Sequence, residues 1–334
     1  MRKSVIVAAF AALGTCVSTV APAIGAPSAA AVPPVRTVFI GDSYTANFGI
    51  APTTGPSGCF RAVENYPALA TEHLDREGVP LDVQADVSCG AAEIHHVWEP
   101  QELLGDAVVE PQKDALRPDT QLVVGSLGGN TVGFAPMMKQ CSKQLRGLAG
   151  ALLPVNPVDP DSPAADCADF FENGDGAAWL KERFATVEND LRRMFAEIRE
   201  QSPGSETVLV GYPRIIPEDT TKCLTAIPGG FRKPLADINQ DALKFLDKEV
   251  QKPLNDLMNR EAQAAGATFV NIYDQSSTHT ACDGEQRGIG AMLEPSEARL
   301  GPLLPLPWFV HPNRTGRDLQ ADLVTKTVKD LVTA

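Results

Sequence analysis

The sequence predicts an α/β protein in three layers, α/β/α, around a five-stranded, mainly parallel sheet. Five short apolar runs, each closed by Gly, Asn or turn residues, read as buried strands. Apolar residues at helical spacing occupy stretches between and after them. Alternating strand and helix requires crossover connections, which give parallel strands with helices on both faces. The 334 residues, 43% apolar and 21% charged, suit one large α/β domain or two small ones and exclude a disordered or fibrous chain.

In chain order, residues 1–30 read as a secretory signal and short linker. Arg2 and Lys3 precede an apolar run from Val5 to Val20, which ends at Pro22 before a small-residue cleavage site near Gly25 or a few residues later. The run is too short and Ala-rich to span a bilayer, and no later segment is apolar enough. Cleavage removes two positive charges and no acid, so the net charge moves from -13 to -15. A rival reading makes Cys16 a lipid-anchored cysteine, but Thr15 before it matches that motif poorly. Residues 31–334 then form one domain.

The strands are residues 35–40, 81–87, 121–126, 207–211 and 267–272. The stretch 133–178, rich in Pro, Gly and Asp with two cysteines, reads as a stapled excursion. Leu180, Phe184, Val187, Leu191, Met194 and Ile198 mark the apolar stripe of a long helix. A second helical stretch covers about residues 235–265, interrupted at Pro253. Leu319, Leu323, Val324, Val328 and Leu331 give an amphipathic C-terminal helix. Apart from Cys16, Cys59, Cys89, Cys141, Cys167, Cys223 and Cys282 form an even set, as in a disulfide framework. Fifteen pairings are open, of which neighbours in order is the simplest. None has zinc spacing. With no Lys/Arg cluster and an acidic balance, nucleic-acid binding is excluded.

Ligands of such sheets bind beyond the carboxyl ends of the strands. The first strand ends in Gly41-Asp42-Ser43-Tyr44, the second in Ser88-Cys89-Gly90-Ala91 and the third in Gly128-Gly129-Asn130. Near the C-terminus stands Trp308-Phe309-Val310-His311-Pro312-Asn313. Each block alone is weak, and Asp42-Ser43 alone would read as a turn or helix cap. Together, with Asn65-Tyr66-Pro67-Ala68-Leu69-Ala70 and Gly211-Tyr212-Pro213-Arg214, they resemble the SGNH (GDSL-type) hydrolase family across nearly the whole exported chain. The likeness is closest to secreted actinobacterial esterases and lipases with three sequential disulfides.

The resemblance implies a flavodoxin-like hydrolase fold and a secreted, monomeric ester hydrolase acting on small-molecule or lipid esters without cofactor or metal. Ser43 would be the nucleophile, made reactive by His311 as general base. The oxyanion hole would comprise the Ser43 and Gly90 N–H groups and the Asn130 side chain, with Gly90 letting the backbone approach substrate. The bridges would be Cys59–Cys89, Cys141–Cys167 and Cys223–Cys282. Acyl transfer with the same residues and an idle binding protein of this fold are the alternatives.

Two positions depart from the family pattern. Thr131 follows Asn130 where Asp is usual, and Trp308 stands where many members carry the third triad residue, an Asp. With no carboxylate there, the Trp308 backbone carbonyl is the nearest acceptor to orient His311, a dyad known among some relatives. Trp308 itself is expected to influence substrate fit.

Other features carry less chemistry. Gly125-Ser126-Leu127-Gly128 lacks the first Gly of a nucleophile elbow. His95-His96 lack a metal frame, and His279 reads as structural. Acidic residues 158–175 read as a solvated face without EF-hand spacing. The Pro-rich stretch 300–309 is either packing or one wall of an acyl pocket.

Overall fold

Five strands form one sheet: β1 (Val35–Gly41), β2 (Leu81–Asp86), β3 (Leu122–Ser126), β4 (Glu206–Val210) and β5 (Thr268–Val270). Their order is β2-β1-β3-β4-β5, and every neighbouring pair is parallel. This computed structural model describes residues 33–334 apart from 104–106, 154, 229, 231 and 302. The expected signal segment and Cys16 therefore lie outside the described residues.

Side chains alternate across a strand, and that alternation builds the layers. Val38, Ile40, Val123 and Leu209 enter one core, whereas Phe39, Leu122, Val124, Val208 and Val210 enter the other. Five of the helices frame the sheet and the Ser43 turn: α1 (Ser43–Ala46), α2 (Tyr66–Arg76), α3 (Gly176–Gln201), α4 (Lys252–Ala264) and α5 (Arg314–Thr333). Helices α2 and α5 cover the Phe39 face through Tyr66, Ala70, Leu74, Ala321, Val324 and Val328. Helices α3 and α4 cover the other, where Val187, Leu191, Met194 and Ile198 supply the stripe read from sequence. Ahead of α4, Gln240–Phe245 is α-helical and Leu246–Gln251 is a π-helical turn. The disturbance expected from Pro253 thus falls just before it, where the missing proline N–H leaves a carbonyl free.

The bridges join Cys59 to Cys89, Cys141 to Cys167 and Cys223 to Cys282. The second staples the excursion between β3 and α3, which contains the short helices Phe134–Gln140 and Cys167–Glu172. A hairpin of Pro295–Leu300 and Leu304–Pro307 precedes the His311 loop. Among the described residues, no helix is long and apolar enough to cross a membrane.

Candidate active site

β1 ends at Gly41, whose φ of 148° is one that L side chains rarely adopt; a Cβ there would fall 2.2 Å from Thr45 Oγ1. Only glycine permits so tight an exit from the strand. Asp42 caps α1, accepting the Tyr44 N–H at 2.8 Å, and places Ser43 at the first helical position. Buried Gln112 fixes this corner: its Oε1 accepts the Gly41 N–H at 2.7 Å and its Nε2 donates to the Gly41 carbonyl at 2.9 Å. The cap reading of Asp42-Ser43 and the nucleophile reading are therefore compatible, because the cap is what orients the serine.

His311 comes from the far end of the chain. Its Nε2 lies 2.7 Å from Ser43 Oγ and its Nδ1 lies 2.9 Å from the Trp308 carbonyl oxygen. Nδ1–H donated to that carbonyl leaves Nε2 as acceptor, the tautomer a general base needs. Burial, opposed only by backbone hydrogen bonds, pushes His311 down to about 4, so the ring is neutral at neutral pH. Phe309 and Val310, with φ of 47° and 58°, precede it. A left-handed conformation is strained for a β-branched residue and persists only when its surroundings impose it. Here Tyr44 Oη donates to the Val310 carbonyl at 2.9 Å, and the His311 carbonyl accepts the Gly290 N–H at 2.9 Å.

The Trp308 ring does not face the site. It packs with Ile50 and Ala62, and Cβ atoms at Gly49 and Gly290 would fall 2.4 and 2.1 Å from its atoms. The expected influence of this side chain on substrate fit is corrected accordingly: only its carbonyl faces the chemistry, and the indole is a buttress. From the same stretch, Leu300, Leu306 and Phe309 do line the cavity beside Ser43, so residues 300–309 supply both a packing element and a wall.

Asn130 and Gly90 line that cavity too. The Asn130 amide donates one hydrogen to the Ala92 carbonyl at 2.9 Å, leaving the other available. At the departure from the family pattern, Thr131 Oγ1 accepts the Ile94 N–H at 2.8 Å, so its hydroxyl ties the Asn130 loop to the segment after Gly90. The Gly90 N–H, in contrast, donates to the Cys59 carbonyl at 2.9 Å. A Cβ at Gly90 would meet that same oxygen at 3.0 Å, so close packing beside the first disulfide also favours glycine there. Neighbouring Ala91, with φ of 61°, also lines the cavity, and its N–H has no protein acceptor among the described residues.

Tyr212 links these parts, its hydroxyl accepting the Gly129 N–H at 2.7 Å and donating to Asp42. Burial raises Asp42 to about 7, against the lowering effect of its hydrogen bonds. Gln251 and Asn255 hold the Tyr212 loop through Ile215 N–H and Tyr212 N–H. Sequence reading missed Gln112 and the roles of Tyr212 and Thr131; the only signal was the quoted Gly211-Tyr212-Pro213-Arg214 block. His95 and His96 stack on each other away from the cavity, and His279 hydrogen-bonds locally to Thr278. Among the described residues, no group of His, Cys, Asp and Glu is arranged to hold a metal.

The arrangement can activate a serine hydroxyl against a carbonyl held beside an apolar cavity of about 540 Å³. Comparison with known proteins finds lipases and esterases that the chain resembles in sequence or fold. Residues 39–319 match the GDSL-like Lipase/Acylhydrolase family. An esterase of Streptomyces scabiei is 53% identical over 330 residues, covering 97% of this chain and 94% of that protein. Lipase 2 of Streptomyces coelicolor is 32% identical over 287 residues, 84% of each. The phospholipase A1 of Streptomyces albidoflavus NA297 shares the fold at a TM-score of 0.56 and 19% identity, over 89% of this chain and all (100%) of that one.

Proposed function

The chain belongs to the GDSL-like lipase/acylhydrolase family, and within it we propose a secreted esterase that works through a Ser43–His311 dyad. It is a carboxylic ester hydrolase. The observation that carries the mechanism is the continuous path from Ser43 Oγ through the His311 ring to the Trp308 carbonyl, with bonds of 2.7 and 2.9 Å.

Ser43 Oγ attacks the ester carbonyl while His311 Nε2 takes its proton. The oxygen becomes an oxyanion that accepts from the Ser43 N–H and the free Asn130 hydrogen, with the N–H of Ala91, beside Gly90, as a further donor. Because burial disfavours a lone imidazolium, that cation gains most from the oxyanion formed beside it in the same step. His311 then hands the proton to the departing alcohol, and a water activated by the same nitrogen releases the acid from Ser43. A carbonyl dipole orients the ring as a triad carboxylate would, without its charge. Residues 1–30 act as the export signal ahead of a single catalytic domain, and the three bridges fit an oxidising compartment.

Fluorophosphonate labelling tests this reading. Complete modification at Ser43, none in Ser43→Ala, and a loss of several orders of magnitude in p-nitrophenyl ester turnover are expected. Unchanged turnover by a folded Ser43→Ala protein would overturn it.

A further inference from the structure

We propose that the cavity beside Ser43 is built for neutral esters of medium- to long-chain fatty acids, in the octanoyl-to-palmitoyl range, and discriminates against acetyl esters and anionic phospholipids. The inference rests on the esterase reading above and adds the class of substrate.

Size is the first argument. At about 540 Å³ the cavity lies within the range of sites that enclose a whole small molecule, ~300–1,000 Å³. An acetyl group would leave almost all of it filled by water against apolar walls, which is unfavourable.

Wall chemistry is the second. Polar groups able to contact substrate gather around Ser43, Asn130 and His311, with exposed Glu102 the exception. Away from it the walls come from the stapled excursion, through Phe134, Met138 and Leu153, and from the hairpin, through Leu300 and Leu306. Gln251 also lines the cavity, but its Oε1 accepts the Ile215 N–H at 3.0 Å and its Nε2 donates to the Pro213 carbonyl at 2.8 Å. Gln101 likewise spends its Nε2 on the Gly90 carbonyl, and Tyr212 its hydroxyl on Asp42 and Gly129. Apart from Gln101 Oε1, which is buried without a partner, their hydrogen bonds are made within the protein, so a sugar's hydroxyls would gain little from them.

Charge is the third. Among the described lining residues there is no Lys or Arg, and the acids are Asp42 and Glu102. A phosphate brought here would be desolvated without a cation to pair with. The chain's net charge of -13 adds general repulsion.

Finally, the apolar wall continues outward. Leu300 lines the cavity while remaining 46% exposed, Leu304 pairs with it across the hairpin, and Leu303 at the tip is 85% exposed. An acyl chain longer than the cavity therefore meets leucine at the rim.

A series of p-nitrophenyl esters from acetate to palmitate, sharing one leaving group, reads the acyl preference. kcat/KM is expected to rise about fourfold per added methylene until the cavity is full, the increment of burying one such group. A maximum at acetate or butyrate, with Ser43 still labelled by fluorophosphonate, overturns the inference and leaves the esterase reading standing; no turnover and no labelling removes both. Leu153→Trp, checked for folding by its melting temperature, should lower the octanoate-to-acetate ratio by about tenfold. An unchanged ratio would place the acyl chain elsewhere. In detergent mixed micelles, a trioctanoyl glyceride should be cleaved about tenfold or more faster than dioctanoyl phosphatidylglycerol, since the anion finds no partner. Equal rates would overturn the preference for neutral esters.

Discussion

Tyr212 Oη donates to Asp42 Oδ2 at 2.5 Å, across 170 positions of sequence, while accepting the Gly129 N–H at 2.7 Å. One hydroxyl thus ties the turn that carries Ser43 to the loop that carries Asn130. Both partners are backbone-anchored, so Ser43 and Asn130, the proposed nucleophile and oxyanion donor, share a reference point.

Tyr212→Phe keeps the ring and removes both bonds, stranding the Gly129 N–H and Asp42. Each buried orphan costs about 1–3 kcal/mol, so the denaturant midpoint should fall. If the hydroxyl positions Asn130, kcat falls about tenfold or more while KM changes little, part of what losing one oxyanion donor removes. Wild-type kcat in a destabilised variant would confine the hydroxyl to a structural role.

His311 must be neutral to accept the serine proton. Its depressed value, about 4, keeps it neutral well below the ordinary 6.5. The acid limb of kcat/KM should therefore sit well below pH 6.5, approaching 4, in a discontinuous assay across pH 3.5–8. A limb at an unshifted 6.5 would mean that the imidazolium is better stabilised than a buried dyad allows.

Stability should show two opposed linkages. Lowered from 6.5 to about 4, His311 makes the unfolded chain bind more protons between those values, so its contribution is lost as pH falls through that window. Asp42 is raised from 3.8 to about 7, so the native state binds the extra proton and its contribution is lost as pH rises from about 4 to 7. The two offset each other in the wild type. His311→Gln should uncover the Asp42 effect as stability that declines steadily toward pH 7, measured by urea unfolding; a slope identical to wild type would contradict it.

Thr131→Val and Asn130→Ala separate positioning from chemistry within adjacent residues. Losing the Thr131 hydroxyl leaves the Ile94 N–H unpaired, which should cost about 1–3 kcal/mol, with Thr131→Ser restoring most of it. Asn130→Ala should instead lower kcat about 10²–10³-fold, with KM little changed. If Asn130→Ala chiefly raised KM, the amide would bind ground-state substrate.

Gly290→Ala tests the buttress under His311. Its Cβ would fall 2.1 Å from Trp308 Cγ, and overpacking of that kind typically costs about 1–3 kcal/mol. Because Trp308 supplies the carbonyl that orients His311, kcat should fall along with the melting temperature. Glu294 accepts the Trp308 N–H on its backbone carbonyl at 2.8 Å while its carboxylate pairs with Arg287 at 2.6 Å; Glu294→Gln should leave kcat within about tenfold, since loss of a true triad carboxylate costs about 10⁴.

Much of this was legible in the sequence, for physical reasons. The structure places each of the five sheet strands within two residues of the expected bounds, although β2, at the sheet edge, is not the buried run expected and has no fully buried residue. Ser43, Asn130 and His311 stood out as candidates because each lies within a recognisable block. The Pro-rich hairpin of Pro295–Leu300 and Leu304–Pro307 was not, since its prolines and rim leucines imitate a loop. Nor were the partners of Tyr212 and Thr131, because hydrogen bonds between distant loops leave no periodic trace. For Gly90 a second constraint stayed hidden: a glycine's freedom is visible in sequence, whereas the Cys59 oxygen that its Cβ would meet is not.

The dyad joins positions 268 residues apart. Ribosomes deliver residues in order, at about 5–20 per second, so His311 follows Ser43 by roughly 15–50 seconds. Throughout that interval the nascent chain holds a serine without its base, and a chain truncated anywhere before position 311 stays so. Under the proposed dyad, hydrolytic power therefore belongs only to chains completed through position 311.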